Sequence, residues 1–353
     1  MSNKVDRITS LYKKKNLDGL LLTNPANISY LTGYLSRDSW LLLSQKGNYY
    51  LTDSRYTAEA NKYLKPAFQV KQANGLGNDC LKQLCQKLYI KNLGFEGNNL
   101  TYAQYLKLSE ILDKKVNLVH TPGLVEGLRL IKSGEEIEKI RQATKITVCA
   151  LNFIRDFIRP GKTEIEISGE LERFIRYNGG TSSAFDIIVA SGPNSSYPHH
   201  ITSKRKIGKN EPVLIDIGAE FQGYKSDLTR VFFSGKISLL AQRVYAIVLR
   251  AQKQAISRIK PGALTREIDQ AARQIIGKNG FGRRFGHNLG HGVGLEVHEA
   301  PGISGKTASI LKKNMVFTIE PGIYLPGKFG IRIEDVVLVT QKGVEILSVS
   351  LNK

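Results

Sequence analysis

The second half of the chain repeats itself, and this limits its fold more than any other feature. The segment IRPGKTEIEISGELERFIRYNGG, from Ile158, matches IKPGALTREIDQAARQIIGKNGF, from Ile259. Pro160 and Pro261, Gly161 and Gly262, Glu166 and Glu267, Asn178 and Asn279, and Gly179 and Gly280 all stand 101 residues apart. Each copy reads as a long helix, a Pro-Gly turn and a second helix that stops at Asn-Gly, followed by strands. Those strands carry two acids per copy, Asp216 with Asp227 and Glu320 with Glu334, and His199 and His298 fall 99 apart, nearly in register. A chance pair of helical hairpins would not repeat its polar residues as well. The pattern predicts two related α+β halves, each lending two carboxylates to a shared site.

The acids sit where charge is costly. They interrupt the apolar stretches VLIDIGAEFQGYKSDLTRVFF, FTIEPGIY and GIRIEDVVLV, and His291 lies in FGHNLGHGVGLEVHE. Buried unpaired charge is expensive, so four carboxylates in one core need cations, and two divalent metals would balance them. If Gln222-Gly223 is a two-residue hairpin loop, Phe221 pairs with Tyr224 and Asp216 falls opposite Thr229. Asp227, two residues before Thr229, then points the same way as Asp216. In IRIEDVVLV, alternation puts Arg332 and Glu334 on one face. Arg332 could orient the carboxylates or snorkel outward as an ordinary strand arginine; its parity with Glu334 favours the first. Glu320 ends its strand at Pro321-Gly322. His287 and His291 have the i, i+4 spacing of a helical zinc pair, but the glycines at 286, 290, 292 and 294 argue for a loop or short strand. A lone histidine is more often a satisfied structural group than a ligand, so the case rests on the set. Oxygen-rich coordination with one imidazole suits manganese, cobalt or zinc in a two-metal site.

A chain of 353 residues suits two domains of unequal size. Residues 1 to about 120 alternate short apolar runs (DGLLLTN, SWLLLSQ, NYYLTD, FQVKQA, KNLGFEG, VNLVH) with amphipathic helical stretches, which predicts an α/β domain with a mixed sheet. A linker at 120–123 divides the chain into 1–122 and 123–353. This first domain has no glycine-rich phosphate loop after a strand, so a nucleotide site is not indicated there. An apolar share of 41% with 23% charged residues is a globular composition. The polar N-terminus has no secretory core and no stretch approaches a membrane span, so a cytosolic protein is expected. Cys80, Cys85 and Cys149 are few and lack metal-ligand spacing, which fits reduced thiols. The net charge of +20 is spread along the chain without interleaved aromatics, so it reads as a solvated lysine-rich surface and not as a specific nucleic-acid site.

The ordered set of motifs resembles the creatinase/methionine aminopeptidase-like ("pita-bread") metallopeptidases, and within them the Xaa-Pro aminopeptidase and prolidase branch. NPANISYLTGY and LLTDSRYTAEA resemble that branch's creatinase-type N-terminal domain, and SGPNSSYPHH, DIGAEFQGYKSDLTR, GHGVGLEVHE, IEPGIY and GIRIED resemble its C-terminal signatures. The resemblance implies that Asp216 chelates one metal, Asp227 and Glu334 bridge both, and His291 with Glu320 completes the second, with manganese as the leading metal. It implies that His199, His287 and His298 surround the substrate carbonyl and the proline nitrogen, with Tyr324 and Arg332 behind the ligands. A hydroxide held between the metals would attack, with Glu320 as general base. PHH departs from the family, which more often has a small residue after the histidine; alignment to His298 through the repeat favours His199 over His200. The resemblance also implies a homodimer.

The leading expectation is therefore a dinuclear metallopeptidase that releases an N-terminal residue from Xaa-Pro peptides, with a dipeptide-only prolidase as the near alternative. Metal-free creatinase chemistry does not require a complete ligand set. A non-catalytic binding protein on the same fold would be expected to have lost ligands, and all five are present.

Overall fold

The computed structural model describes residues 2–73, 79–113, 115–349 and 351. The chain divides into two compact units, Met1–Arg129 and Leu130–Lys353. No helix among the described residues is long and apolar enough to cross a membrane.

The first unit is built on one six-stranded mixed sheet. Its strand order is Phe68–Gln72, Gly47–Thr52, Ser39–Ser44, Gly19–Leu22, Asn92–Phe95 and Asn117–His120. The three strands Gly47–Thr52, Ser39–Ser44 and Gly19–Leu22 run antiparallel to their neighbours in turn, while the remaining pairings are parallel. All six expected strands are present. The helices follow local chemistry. Asn24 caps the helix Pro25–Thr32 by accepting from the N–H groups of Ala26 and Asn27, Pro25 needs no N–H partner there, and Gly33 ends the helix at φ 73°. The first helix spans Ser2–Lys13, and the chain turns out of it at Asn16, φ 57°. The short helix Leu124–Arg129 belongs to this unit, with Arg129 donating to Asn27 Oδ1 at 2.7 Å.

The second unit carries the repeat. Helices Glu164–Tyr177 and Thr265–Lys278 are both 14 residues long. The turns before them use Gly161 at φ 93° and Gly262 at φ 89°, and the ends after them use Gly179 at φ 92° and Gly280 at φ 87°. The matched glycines thus repeat because the same left-handed backbone recurs. The longer partner helices are Gly134–Ile154 and Leu239–Ile256. Each half then lays down three antiparallel strands. The first set is Ile188–Ser191, Pro212–Ile217 and Leu228–Phe233; the second is Gly290–Gly292, Val316–Ile319 and Asp335–Val339, extended by an outer strand on each side.

Buried polar bonds join the halves at the start of each third strand. Glu334 N–H donates to Thr229 O at 3.1 Å, and Arg230 Nη2 donates to Asp335 Oδ1 at 2.7 Å. Gln252 Nε2 ties the helix Leu239–Ile256 to Ile319 O, Ile333 O and Asp335 Oδ2. An unpaired buried charge at this junction would cost several kcal/mol, so the Arg230–Asp335 pair favours one mutual placement of the halves over its neighbours (on the order of 3–5 kcal/mol for losing one partner).

Candidate metal centre

The expected hairpin is present in full. Gln222 and Gly223 take φ 49° and 81°, Phe221 pairs with Tyr224, and Thr229 pairs with Asp216. Gly218 lies where the hairpin crosses between sheets, and a Cβ there would meet Ser226 O at 2.0 Å, so no larger residue fits. The repeat extends to the acids. Asp227 and Glu334 each stand immediately before their half's third strand, while Asp216 and Glu320 stand at the end of its second.

One cavity of about 510 Å³ gathers them. Asp216, Asp227, Glu320 and Glu334 line it together with His199, His287, His291, His298 and Arg332. Tyr324 is the one expected residue outside the lining, and it stands behind, hydrogen-bonded to His287 and Arg332. Ligand atoms of Asp227, His291 and Glu334 fall within 4.8 Å of one another. Asp216 and Glu320 lie outside that tight trio. Asp216 Oδ2 is taken by Arg332 Nη2 at 2.7 Å, and Glu320 Oε1 lies 3.5 Å from His291 Nε2.

His291 sits in the strand Gly290–Gly292, as the flanking glycines require: a Cβ at Gly290 would lie 1.9 Å from Thr318 O. Its Nδ1 donates to Gly292 O at 3.1 Å, so the neutral ring turns the Nε2 lone pair toward Asp227 Oδ2, 3.5 Å away, and toward Glu320. Burial, then His298, pushes the His291 pKa down to about 4, so near neutral pH this nitrogen carries no proton to share. Three acceptors thus face one another. Among the described residues, buried Asp216 Oδ1 and Asp227 Oδ1 have no hydrogen-bond partner either. Burial, followed by Glu334 and Asp216, drives Asp227 well above the usual carboxylate range, and burial followed by Glu334 does the same to Glu320. Burial and the adjacent Asp216 push Glu334 up to about 8. Orphaned carboxylate oxygens around an imidazole lone pair are the donor set of a hard or borderline divalent cation, so these residues fit a metal.

A family model for metallopeptidase family M24 matches residues 138–341, and one for the creatinase/prolidase N-terminal domain matches residues 4–131. The chain belongs to metallopeptidase family M24. The solved structure of an Xaa-Pro dipeptidase from Bacillus anthracis is 41% identical, with a TM-score of 0.94 over 98% of this chain and 97% of that one. An X-Pro aminopeptidase from Thermotoga maritima MSB8 is 37% identical, with a TM-score of 0.91 over 97% and 96% of the two chains. An Xaa-Pro dipeptidase from Pyrococcus horikoshii is 36% identical over 353 residues, 99% of this chain and 97% of that protein. The architecture is accordingly the pita-bread fold behind a creatinase-type N-terminal domain, and the chain is a peptidase of a metal-dependent family.

Some contacts around the cavity were not legible beforehand. Thr229 is fully buried; its hydroxyl donates to Glu334 Oε2 at 2.8 Å and accepts from Arg332 Nε at 3.0 Å. Its place opposite Asp216 was visible in the hairpin, but its link to Glu334 crosses the two halves. Arg332 also donates to Tyr324 Oη at 2.8 Å and Pro198 O at 3.1 Å. His287 is committed at both nitrogens, with Nδ1 donating to Asn288 O at 2.7 Å and Nε2 accepting from Tyr324 Oη at 3.0 Å. Burial, then Arg332, holds it neutral, with its pKa down to about 4, and burial pushes the Tyr324 hydroxyl up to about 12. Of the adjacent histidines, His199 lines the cavity, whereas His200 Nε2 is bonded to buried Glu164 at 2.9 Å. Burial and then His199 lower the pKa of His298 too.

Proposed function

We propose that the chain is a dinuclear metal-dependent Xaa-Pro dipeptidase, hydrolysing the bond before proline. The observation that carries the metal part is the neutral His291 lone pair facing Asp227 and Glu320, beside Asp216 and Asp227 oxygens that have no hydrogen-bond partner among the described residues. Two relatives named Xaa-Pro dipeptidase, at 41% and 36% identity over nearly the whole chain, support the dipeptide reading over the aminopeptidase first expected from sequence.

Asp216, Asp227, His291, Glu320 and Glu334 would hold the metals, manganese first and cobalt or zinc as alternatives. When bound, they supply an activated water and polarise the scissile carbonyl. Glu320, at the cavity wall, would take up the proton of the attacking water and deliver it to the proline nitrogen. His199 and His298, whose side chains have no hydrogen bond of their own among the described residues, are placed to donate to the substrate carbonyl. His287, with both nitrogens engaged, holds Tyr324 and through it Arg332. Proline lacks an N–H and fixes its own φ, so the bond before it calls for a site shaped to that ring. A homodimer, on family resemblance alone, and a cytosolic setting belong to the same reading.

One observation favours the aminopeptidase reading. Arg332 is the single lysine or arginine lining the cavity among the described residues, and it is spent on Asp216, Tyr324, Thr229 and Pro198 O. That wall therefore offers no uncommitted cation for a dipeptide's carboxylate. Turnover of an Xaa-Pro series and the matching Xaa-Pro-Xaa series, on protein of measured metal content, separates the readings. Higher kcat/KM on dipeptides is expected. Tripeptide cleavage without dipeptide cleavage would make it an aminopeptidase, and metal-loaded protein inert on both would end the peptidase reading.

A further inference from the structure

Glu164 is the first residue of the helix Glu164–Tyr177 and is fully buried, yet it lies outside the cavity lining. Its two carboxylate oxygens collect six donors from one stretch of chain. Oε1 accepts from Ser191 N–H at 2.8 Å, Ser191 Oγ at 2.8 Å and Asn194 Nδ2 at 3.0 Å. Oε2 accepts from Ser203 N–H at 3.1 Å, Ser203 Oγ at 2.6 Å and His200 Nε2 at 2.9 Å. Six donors exceed the four lone-pair directions of a carboxylate, and only a charged acceptor draws them together in this way. Burial alone would raise the Glu164 pKa, but the bonds from Ser203, Ser191 and His200 together hold it below the usual carboxylate range.

The donors come from both ends of the segment 191–203. Between those ends the segment carries two groups of the metal centre, His199 on the cavity wall and the Pro198 carbonyl on Arg332. Its other side is seated on the strand Phe329–Arg332, where Gly330 N–H donates to Ser195 Oγ at 2.8 Å. A Cβ at Gly330 would lie 2.0 Å from Ser195 O, so the fit is close. The segment is thus gripped from two sides, and the grip from Glu164 is the ionic one.

We propose that Glu164, acting through His200 and the serines at 191 and 203, is a positioning residue that sets where His199 meets the substrate. His200, the residue that departs from the family pattern, is part of this clamp and not of the reaction. The inference rests on the peptidase reading of the site for what His199 does, but not for the clamp itself.

A double-mutant cycle with hydrogen exchange tests it. Glu164→Gln turns one oxygen into an amide that faces three donors; His200→Leu removes a single donor, and His200→Gln keeps one. On metal-loaded protein, Glu164→Gln should retain its metal and lose about 100-fold in kcat with a smaller change in KM. His200→Leu should lose about tenfold, and His200→Gln should recover most of it. In a His199→Ala background each should cost less than about twofold, because the residue they position is gone. Amide exchange across 192–203 should quicken in Glu164→Gln while that of the helix Gly134–Ile154 stays unchanged. Costs that multiply fully with His199→Ala, or exchange unchanged across 192–203, would overturn the proposal. Should Glu164→Gln fail to fold, His200→Leu carries both readouts. If wild-type protein cleaves no Xaa-Pro peptide, the peptidase reading is what fails, and the exchange result still decides the clamp; if His199→Ala alone leaves turnover intact, His199 does not serve the substrate and the proposal is overturned.

Discussion

Replacing Thr229 by valine probes the join between the two halves of the centre without touching a group that meets substrate. Valine has nearly the shape of threonine, so the packing term is small. The loss is a hydroxyl that donates to Glu334 at 2.8 Å and accepts from Arg332 at 3.0 Å in a fully buried position. Hydrogen bonds to charged groups contribute about 1.5–3 kcal/mol each, and because these two share one atom their costs are not additive, so we take about 3 kcal/mol for the pair. In a unit of this size each kcal/mol moves the melting temperature by about 2–4 °C, which gives roughly 6–12 °C. Glu334 also loses the donor that orients it, and losses of this kind cost about 10–100-fold in metal affinity or activity. The assay is thermal unfolding of chelated protein, followed by manganese titration and turnover, for Thr229→Val beside Thr229→Ser. The serine variant keeps the hydroxyl and should stay close to wild type in metal affinity. A valine variant that melts and binds manganese as wild type does would refute the reasoning, and so would a serine variant as impaired as valine.

Two further outcomes concern the acids themselves. Asp227→Asn removes one of several like charges packed together, so the chelated variant should melt higher than chelated wild type while metal retention and turnover are lost; a lower melting point or full metal content would contradict this. The second is a pH dependence. The Glu334 carboxyl has a folded-state pKa of about 8, against about 4.3 for an unfolded glutamate, so the metal-free fold binds more protons than the unfolded chain between these values and loses stability as pH rises through them. His287 and His291, with pKa values down to about 4, give the opposite slope, but only up to the ordinary histidine value near 6.5. From pH 6.5 to 8 the carboxyls should therefore dominate: chelated protein melts lower as pH rises, and the gain on adding manganese grows. A gain that is flat or shrinks over that interval would show that these acids are not the groups displaced.

Much of the centre could be read in advance because it depends on short-range rules. A two-residue loop at Gln222-Gly223 and a side-chain period of two place Asp216 and Asp227 on one face, and the pairing of Asp216 with Thr229 follows from counting. Pro-Gly and Asn-Gly pairs mark the repeated helix ends because only certain residues accept a left-handed backbone, and the matching φ values at Gly179 and Gly280 are that rule applied twice. The six strands of the first unit were legible from apolar runs, though not their order or which pairs run parallel.

Other features depend on distance in sequence. The repeat favoured His199 over His200 for the site, but what His200 does instead showed only in its partner Glu164, 36 residues away. Thr229 reaches Glu334 across 105 residues, and Arg230 reaches Asp335 across another 105. No local pattern encodes such pairs, because they arise when two separately folded halves dock and each buried charge must find a partner or be lost.

The sequence by itself determined which acids form pairs, which face Asp216 and Asp227 share and which family's chemistry they match, since backbone sterics and strand alternation act within a few residues. Only the tertiary structure decided that the two pairs share one cavity, that His291 turns a bare lone pair toward them, and that His199 faces the site while His200 is tied to Glu164. Those outcomes depend on burial, and burial belongs to the packed halves and not to any stretch of chain.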